Sequence, residues 1–284
     1  MAKRKRQPAN NYDIDIIIPV YGQPDYLLKC LNSIEETKGE LNLNLILVDD
    51  CGPEQDKLSG IYQSLNGNSR VYRNPQNLGF SRTINTGINL GNAPFVLILN
   101  TDIELQQNSL QAMLAEFADG AVGVCAPKLL FPNDSLDPHR PAGKIQHAGL
   151  TIDFHGKIQH AGIGWDSDNK AVNIRRECQA VTGACMMIRR DTIKKVYSFY
   201  QSKGDPTSGA FNDIYAKGTY EDVEFCFVAR EVGYRVIYVP NAVAYHYVGA
   251  SVTGNNESYP LNRNEMIFKA RCGGMMYWDE FLFL

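Results

Sequence analysis

At 284 residues, with 44% apolar and 21% charged residues, the chain has the makings of a soluble globular protein, as one large α/β domain or two small ones. A net charge of −3 argues against a general nucleic-acid binder, and seven cysteines without a CxxC pair give neither a zinc pattern nor an even disulfide framework. The cysteines point instead to a reducing compartment, no apolar run approaches the roughly 18 residues that span a bilayer, and no signal peptide is visible, so the expected location is cytoplasmic.

The chain opens with a polar tail, 1–11, whose basic run at 3–6 is expected to be disordered; nucleic acid or anionic lipid would suit it, but a solvated terminus is the ordinary case. Ile14–Val20 then reads as a buried strand ending at Pro19, Val20, Tyr21 and Gly22. A helix over Pro24–Thr37 carries Tyr26, Leu27, Cys30, Leu31 and Ile34 on one face. A second strand, 43–48, runs into Asp49 and Asp50; a helix over 54–65 and a short strand at 70–73 follow. Next come Asn77, Leu78, Gly79 and a helix over 81–90.

Phe95–Leu99 is a short apolar run, as in a strand buried on both faces of a parallel sheet, and it runs straight into Asn100, Thr101 and Asp102. Strands alternating with helices imply βαβ units, so every polar cluster so far falls on the carboxyl edge of one parallel sheet, where open α/β folds bind ligands. Asp102, with Glu104 close behind, is well placed there to hold a hard cation against a phosphate. The competing reading makes Asn100 to Asp102 a turn and cap before a helix at 109–117.

A fifth strand is expected at 122–127, after which 131–170 loses periodicity. Within it GKIQHAG occurs twice, at 143–149 and 156–162, and the separator LTIDFH suggests two short antiparallel strands joined by a turn. His147 and His160 recur in the two copies; with no Cys or carboxylate recurring at ligand spacing, surface or hairpin histidines are expected rather than a paired metal site. A strand-like segment covers 179–188, and a helix from Tyr220 to about 232 has Glu221, Asp222 and Glu224 in its first turn, where acids also complement the helix dipole. A strand at 234–239 and the segment 242–247, with His246, precede an aromatic tail, 272–284, ending in FLFL.

Seven segments taken together, IIIPVYG, LVDD, NLGFSRTINTGI, NTD, TGACMMIRR, YEDVEFCFVAR and GYRVIYVPNAVAYH, resemble family 2 glycosyltransferases of the GT-A fold, in the branch of bacterial rhamnosyltransferases and other enzymes of surface-polysaccharide assembly. The resemblance implies an α/β, Rossmann-like fold with a mostly parallel central sheet, flanking helices and a small antiparallel excursion, over a domain 12–270 with a C-terminal segment 271–284 of unassigned role. It implies a metal-dependent inverting transfer of a sugar from a UDP- or dTDP-sugar donor to a hydroxyl of a saccharide or glycolipid acceptor, with no nucleic-acid partner and with peripheral contact at the inner face of the membrane.

By the same resemblance Pro19, Val20 and Tyr21 line the nucleotide pocket, Asp50 accepts the base imide N–H, and Asn77, Gly79 and Arg82 border the nucleotide and its sugar. Asn100, Thr101 and Asp102 stand at the DxD position, Asn100 replacing its first Asp; Asp102 and His246 bind the cation. Imidazole tilts the choice from Mg²⁺ toward Mn²⁺. Asp222, with Glu221 beside it, is the general base. Two alternatives compete. A dinucleotide-dependent oxidoreductase lacks its GxGxxG after the first strand. A non-catalytic nucleotide-sugar or carbohydrate-binding module on the same fold has no need of Asp50, Asp102, Asp222 and His246 together.

Overall fold

The computed structural model describes residues 12–215, 217–247 and 260–279; the basic tail at 1–11 and the FLFL end lie outside them. In the first third of the chain come strand β1 (Ile14–Val20), helix α1 (Pro24–Thr37), β2 (Leu43–Asp49), α2 (Gln55–Ser64), β3 (Ser69–Arg73), α3 (Phe80–Leu90) and β4 (Phe95–Leu99). Then follow β5 (Ile103–Leu105), α4 (Ser109–Ala115), β6 (Val122–Leu130), β7 (Ile145–His147), β8 (Leu150–Ile152), β9 (Ile158–His160), β10 (Arg176–Glu177) and β11 (Cys185–Arg189). Helices α5 (Arg190–Ser202) and α6 (Glu221–Glu231), strand β12 (Arg235–His246) and helix α7 (Leu261–Cys272) complete the fold.

The main sheet runs β10-β12-β6-β11-β4-β1-β2-β3. β1 pairs in parallel with β2 and β4, and β2 in parallel with β3, as the βαβ pattern requires. The strands alternate sides inside a two-faced core. Ile16 and Ile18 join Leu27, Leu31 and Ile34 of α1, whereas Ile17 joins Ile84 and Ile88 of α3 on the other face. Burial on both faces is why these strands read as unbroken apolar runs. At the amino edge the buried Asp15 accepts from Asn44 Nδ2 (2.5 Å) and Ala93 N (2.8 Å) and pairs with Arg190, fixing the start of β1 to α5.

Several elements depart from the sequence reading. The sheet is mostly parallel, as expected, and β11 lies antiparallel within it between β4 and β6, a direction the sequence reading does not assign. Three-residue β5 follows Asp102 and pairs with β12, which is a single strand with a register shift between Val239 and Val243 rather than two pieces. Helices α5 and α7 were not expected, although Ile193, Val196 and Tyr200 of α5 recur at helical spacing, and the boundary expected at 270 falls inside α7. The two short antiparallel strands expected around the separator do form, Leu150–Ile152 with Ile158–His160, whereas Ile145–His147 of the first GKIQHAG copy adds to β6. His147 is therefore no surface histidine; β7 carries it wholly into the core.

Candidate active site

The carboxyl ends of β1, β2 and β4 meet at one edge because their register is parallel. Val20 stands beside Asp49 and Ile17 beside Ile98. The antiparallel β11 brings its amino end to the same edge, Ala184 O accepting from Asn100 N at 2.9 Å. β12 arrives there too, with His246 opposite Ile103 and Tyr247 N donating to Asp102 O at 3.0 Å. Topology thus gathers loops from both halves of the chain.

The loop after β2 is pressed against the loop after β1. A side chain on Gly52 would stand 2.6 Å from Gly22 N and 2.8 Å from Tyr21 Cα, so only glycine permits this approach. Asp50 is buried and already engaged: Oδ1 accepts from Asn74 Nδ2 (2.7 Å) and Leu78 N (2.8 Å), and Oδ2 from Gly79 N (2.9 Å). It holds the Asn77 to Gly79 loop against the end of β2, and Asn77 Oδ1 also accepts from Gly79 N. A carboxylate offers about four acceptor sites, so three internal donors leave little of Asp50 for a ligand. Neighbouring Asp49 binds Gln55 (2.9 Å), Tyr62 (3.2 Å) and Arg73 (3.0 Å), a brace the sequence reading missed. Arg82 reaches instead to Asp213, 2.8 Å away.

Asp102 and Thr101 are buried, and Asp102 Oδ1 lies 3.4 Å from His246 Nε2. Two atoms each about 2.1 Å from one ion at a right angle stand about 3 Å apart, so this oxygen–nitrogen pair suits a shared divalent cation. Beside it Asn100 Oδ1 is buried without a hydrogen-bond partner. Among the described residues no group of three or more His, Cys, Asp or Glu could hold a metal, so within them Asp102 and His246 stand as a pair. Gln146, from the first GKIQHAG copy, was not singled out by the sequence. Its Oε1 sits 3.4 Å from His246 Nδ1, which fits an Nδ1–H tautomer with the Nε2 lone pair turned toward Asp102. Next to it His147 Nδ1 and His160 Nδ1 are 2.8 Å apart. Burial, then the neighbouring charges of His160, Arg176 and His246, hold His147 well below the ordinary histidine range. Burial first and His246 second bring His160 down to about 4. Both rings are thus neutral near neutral pH.

Asp222 and Glu221 open α6 but have different surroundings. Asp222 is partly exposed; its Oδ2 accepts from Gly183 N (2.7 Å) and its Oδ1 from Val223 N (2.8 Å). A Cβ on Gly183 would stand 3.0 Å from Asp222 Cβ, which ties the glycine of TGACMM to this contact. Burial raises the Asp222 carboxyl above the ordinary aspartate range, opposed by those backbone donors. Glu221 is buried, its Oε2 lacks a partner, and burial followed by the Asp222 charge raises it well above the ordinary glutamate range. The two acids do not share a face, as their neighbouring places on a helix require.

The chain has relatives of known family and fold. The sequence matches the glycosyl transferase family 2 profile over residues 15–197. Among curated proteins, a pre-mycofactocin glycosyltransferase of Mycobacterium tuberculosis is 23% identical over 82% of this chain and 42% of its own length. An N-acetylglucosaminyltransferase of Rhizobium sp. is 25% identical over 81% of this chain and 47% of its own. The chain spans less than half the length of these relatives. Among solved structures, GalNAc-T7 with UDP, GalNAc and Mn²⁺ superposes with a TM-score of 0.69 at 16% identity, over 97% of this chain and 50% of that one. Staphylococcus aureus TarS with UDP-GlcNAc gives 0.53 at 16% identity over 87% and 62%. These likenesses show the GT-A fold, and with the family profile covering well over half of the sequence, the chain belongs to glycosyl transferase family 2.

Proposed function

We propose that the chain moves a sugar from a UDP- or dTDP-sugar to a hydroxyl of a saccharide or glycolipid acceptor, with inversion and with the help of a divalent cation, manganese above magnesium. The observation that carries this reading is the 3.4 Å pair of Asp102 and His246 on the same sheet edge as Asp222, a carboxylate with a raised proton affinity. The complexes of GalNAc-T7 with UDP and Mn²⁺ and of TarS with UDP-GlcNAc support the donor class.

In this reading Pro19, Val20 and Tyr21 line the nucleotide pocket, while Asn77, Gly79 and Arg82 border the ribose and sugar. Asp50 contributes mainly by fixing their loop, its remaining acceptor capacity facing the base. Asp102 and His246 hold the cation, which when bound supplies charge to the departing diphosphate. Thr101 and Asn100 set the turn that presents Asp102. Asp222 Oδ takes the proton of the acceptor hydroxyl as that oxygen bonds to the anomeric carbon and the bond to the diphosphate oxygen breaks on the opposite face. A base whose pKa is raised toward the working pH is the better acceptor of that proton. Glu221, buried and away from the acceptor, supports the helix start rather than the chemistry.

A non-catalytic binding module is the second reading, and one experiment separates the two. Release of UDP or dTDP from a panel of nucleotide sugars is measured with Mn²⁺ and with EDTA, for wild type, Asp102→Ala and His246→Ala. The proposal expects hydrolysis that EDTA abolishes and both variants weaken. Nucleotide-sugar binding without any turnover would favour the module, and turnover indifferent to EDTA and to both substitutions would remove the cation.

A further inference from the structure

Immediately before the catalytic helix, four successive residues stand at positive φ: Lys217 (+61°), Gly218 (+102°), Thr219 (+76°) and Tyr220 (+72°). Glycine tolerates this region; a β-branched threonine and a tyrosine do so only where their surroundings over-determine the backbone. The local sequence does not supply that determination, since Tyr220, the N-cap of α6, makes no side-chain capping bond.

The restraint comes from α7. Asn264, Phe268 and Arg271 lie at i, i+4 and i+7, one face of the helix. The wholly buried Asn264 donates through Nδ2 to Gly218 O at 2.8 Å and Thr219 Oγ1 at 3.1 Å, and lies 3.4 Å from Thr219 O. Phe268 meets the rings of Tyr220 and Phe227 at centroid distances of 5.4 and 5.3 Å. Arg271 binds both oxygens of Glu224, at 2.7 and 2.8 Å, and pairs with Asp205. On its other side the strained segment touches the donor loop: a side chain on Gly218 would stand 3.3 Å from Phe80 Cβ, one on Gly79 3.9 Å from Lys217 N.

We propose that Asn264 is a positioning residue for Asp222: by holding the Gly218 carbonyl and the Thr219 hydroxyl it keeps 217–220 left-handed and so aims the first turn of α6. The proposal rests on Asp222 being the base. Without the amide, 217–220 relaxes toward ordinary φ values and the first turn of α6, with Asp222, shifts from Gly183. The nucleotide pocket, built from β1 to β4, keeps its shape.

The test compares wild type, Asp222→Asn, Asn264→Ala and the double variant Asn264→Ala/Thr219→Gly, with folding followed by circular dichroism. The assay donor is whichever UDP- or dTDP-sugar wild type hydrolyses fastest with Mn²⁺, and UDP with Mn²⁺ is the binding probe. Asn264→Ala should lower kcat roughly 10–100-fold, the scale of an ångström's misplacement, with UDP affinity changed less than about twofold, the split expected when only the transition state loses support. Thr219→Gly in that background should restore part of kcat, because glycine adopts positive φ without the steric penalty that threonine bears there.

A kcat near wild type in folded Asn264→Ala, or no recovery in the double variant, overturns the proposal. If Asn264→Ala does not fold, the double variant is decisive: folded and active supports positioning, unfolded makes Asn264 purely structural. Hydrolysis retained by Asp222→Asn, or absent from wild type, instead defeats the base reading, and the proposal falls with it.

Discussion

In the half of the molecule from β1 to β4, each site residue follows directly from the end of a parallel strand; in the half from β11 to α7, comparable residues depend on partners far away in sequence. Asp50 and Asp102 reach the ligand edge because β2 and β4 run parallel to β1. Asp222 reaches it because an antiparallel strand offers Gly183 N, and because α7, some 40 residues later, holds the approach to α6. The half from β11 to α7 carries strain and, beside the partly exposed Asp222, the buried Glu221, the kind of arrangement that proteins concentrate where chemistry is done.

The comparison breaks most sharply at Asp222. Asp222→Asn keeps the size of the side chain, gives up one of the two backbone hydrogen bonds from Gly183 N and Val223 N, and loses the proton acceptor, so transfer should fall by about 10²–10⁴-fold, with donor affinity nearly unchanged by calorimetry. In wild type, burial raises this carboxyl, so the acid limb of kcat should lie above the ordinary aspartate range, the rate falling as pH drops through it. A near wild-type rate in Asp222→Asn would place the base elsewhere.

In the donor half Asp50→Asn offers the stronger test. The amide nitrogen replaces either Oδ1, facing Asn74 Nδ2 and Leu78 N, or Oδ2, facing Gly79 N, and in neither place can it accept. Roughly 1.5–3 kcal/mol, the scale of a hydrogen bond to a charged group, should appear in UDP affinity, together with a lower melting temperature because the loop itself loosens. Weaker UDP binding at unchanged stability would mean that Asp50 reads the base rather than organising the loop.

A smaller effect is expected where the halves meet. Gln146→Ala should weaken Mn²⁺ binding in the presence of UDP by about tenfold, the low end for a partner that orients a metal-binding histidine, as read by the free Mn²⁺ spin-resonance signal. Unchanged Mn²⁺ affinity would separate the GKIQHAG segment from the cation site.

Smallest is Glu221→Gln. The folded protein raises this carboxyl far above the ordinary glutamate value of about 4.3, so the stability linked to its proton is complete below that value and is lost as pH rises toward the folded one. A neutral amide removes that loss. The melting temperature at pH 7.5 should rise by roughly 2–5 °C, with transfer hardly altered, and a lower melting temperature would show that the charge is stabilising there.

Much of the donor half was legible in the sequence for a physical reason: a strand buried on both faces has to be apolar throughout, and the polar residue that ends it has to sit at the ligand edge. The ends of β1 and α1 agree to the residue with the periodicity, and the clusters at Pro19, Asp50 and Asp102 converge as the βαβ alternation requires. The family followed from seven short segments in order, and the profile match over 15–197 bears it out. Strand direction was not legible, because β11 reads as an apolar run whichever way it is laid. Nor was the fate of the duplicated GKIQHAG, one copy of which docks on β6 and buries His147 while the other turns back as a hairpin. Short strands take their place from the edges they find, not from their own composition. Tertiary structure alone decided that Gln146 meets His246, that Asp50 is engaged by Asn74, Leu78 and Gly79 of the loop after β3, and that a buried amide on α7 stands against the residues before Asp222. Each is a side-chain contact, to another side chain or to the backbone, between residues far apart in sequence, and only packing brings them within hydrogen-bond reach.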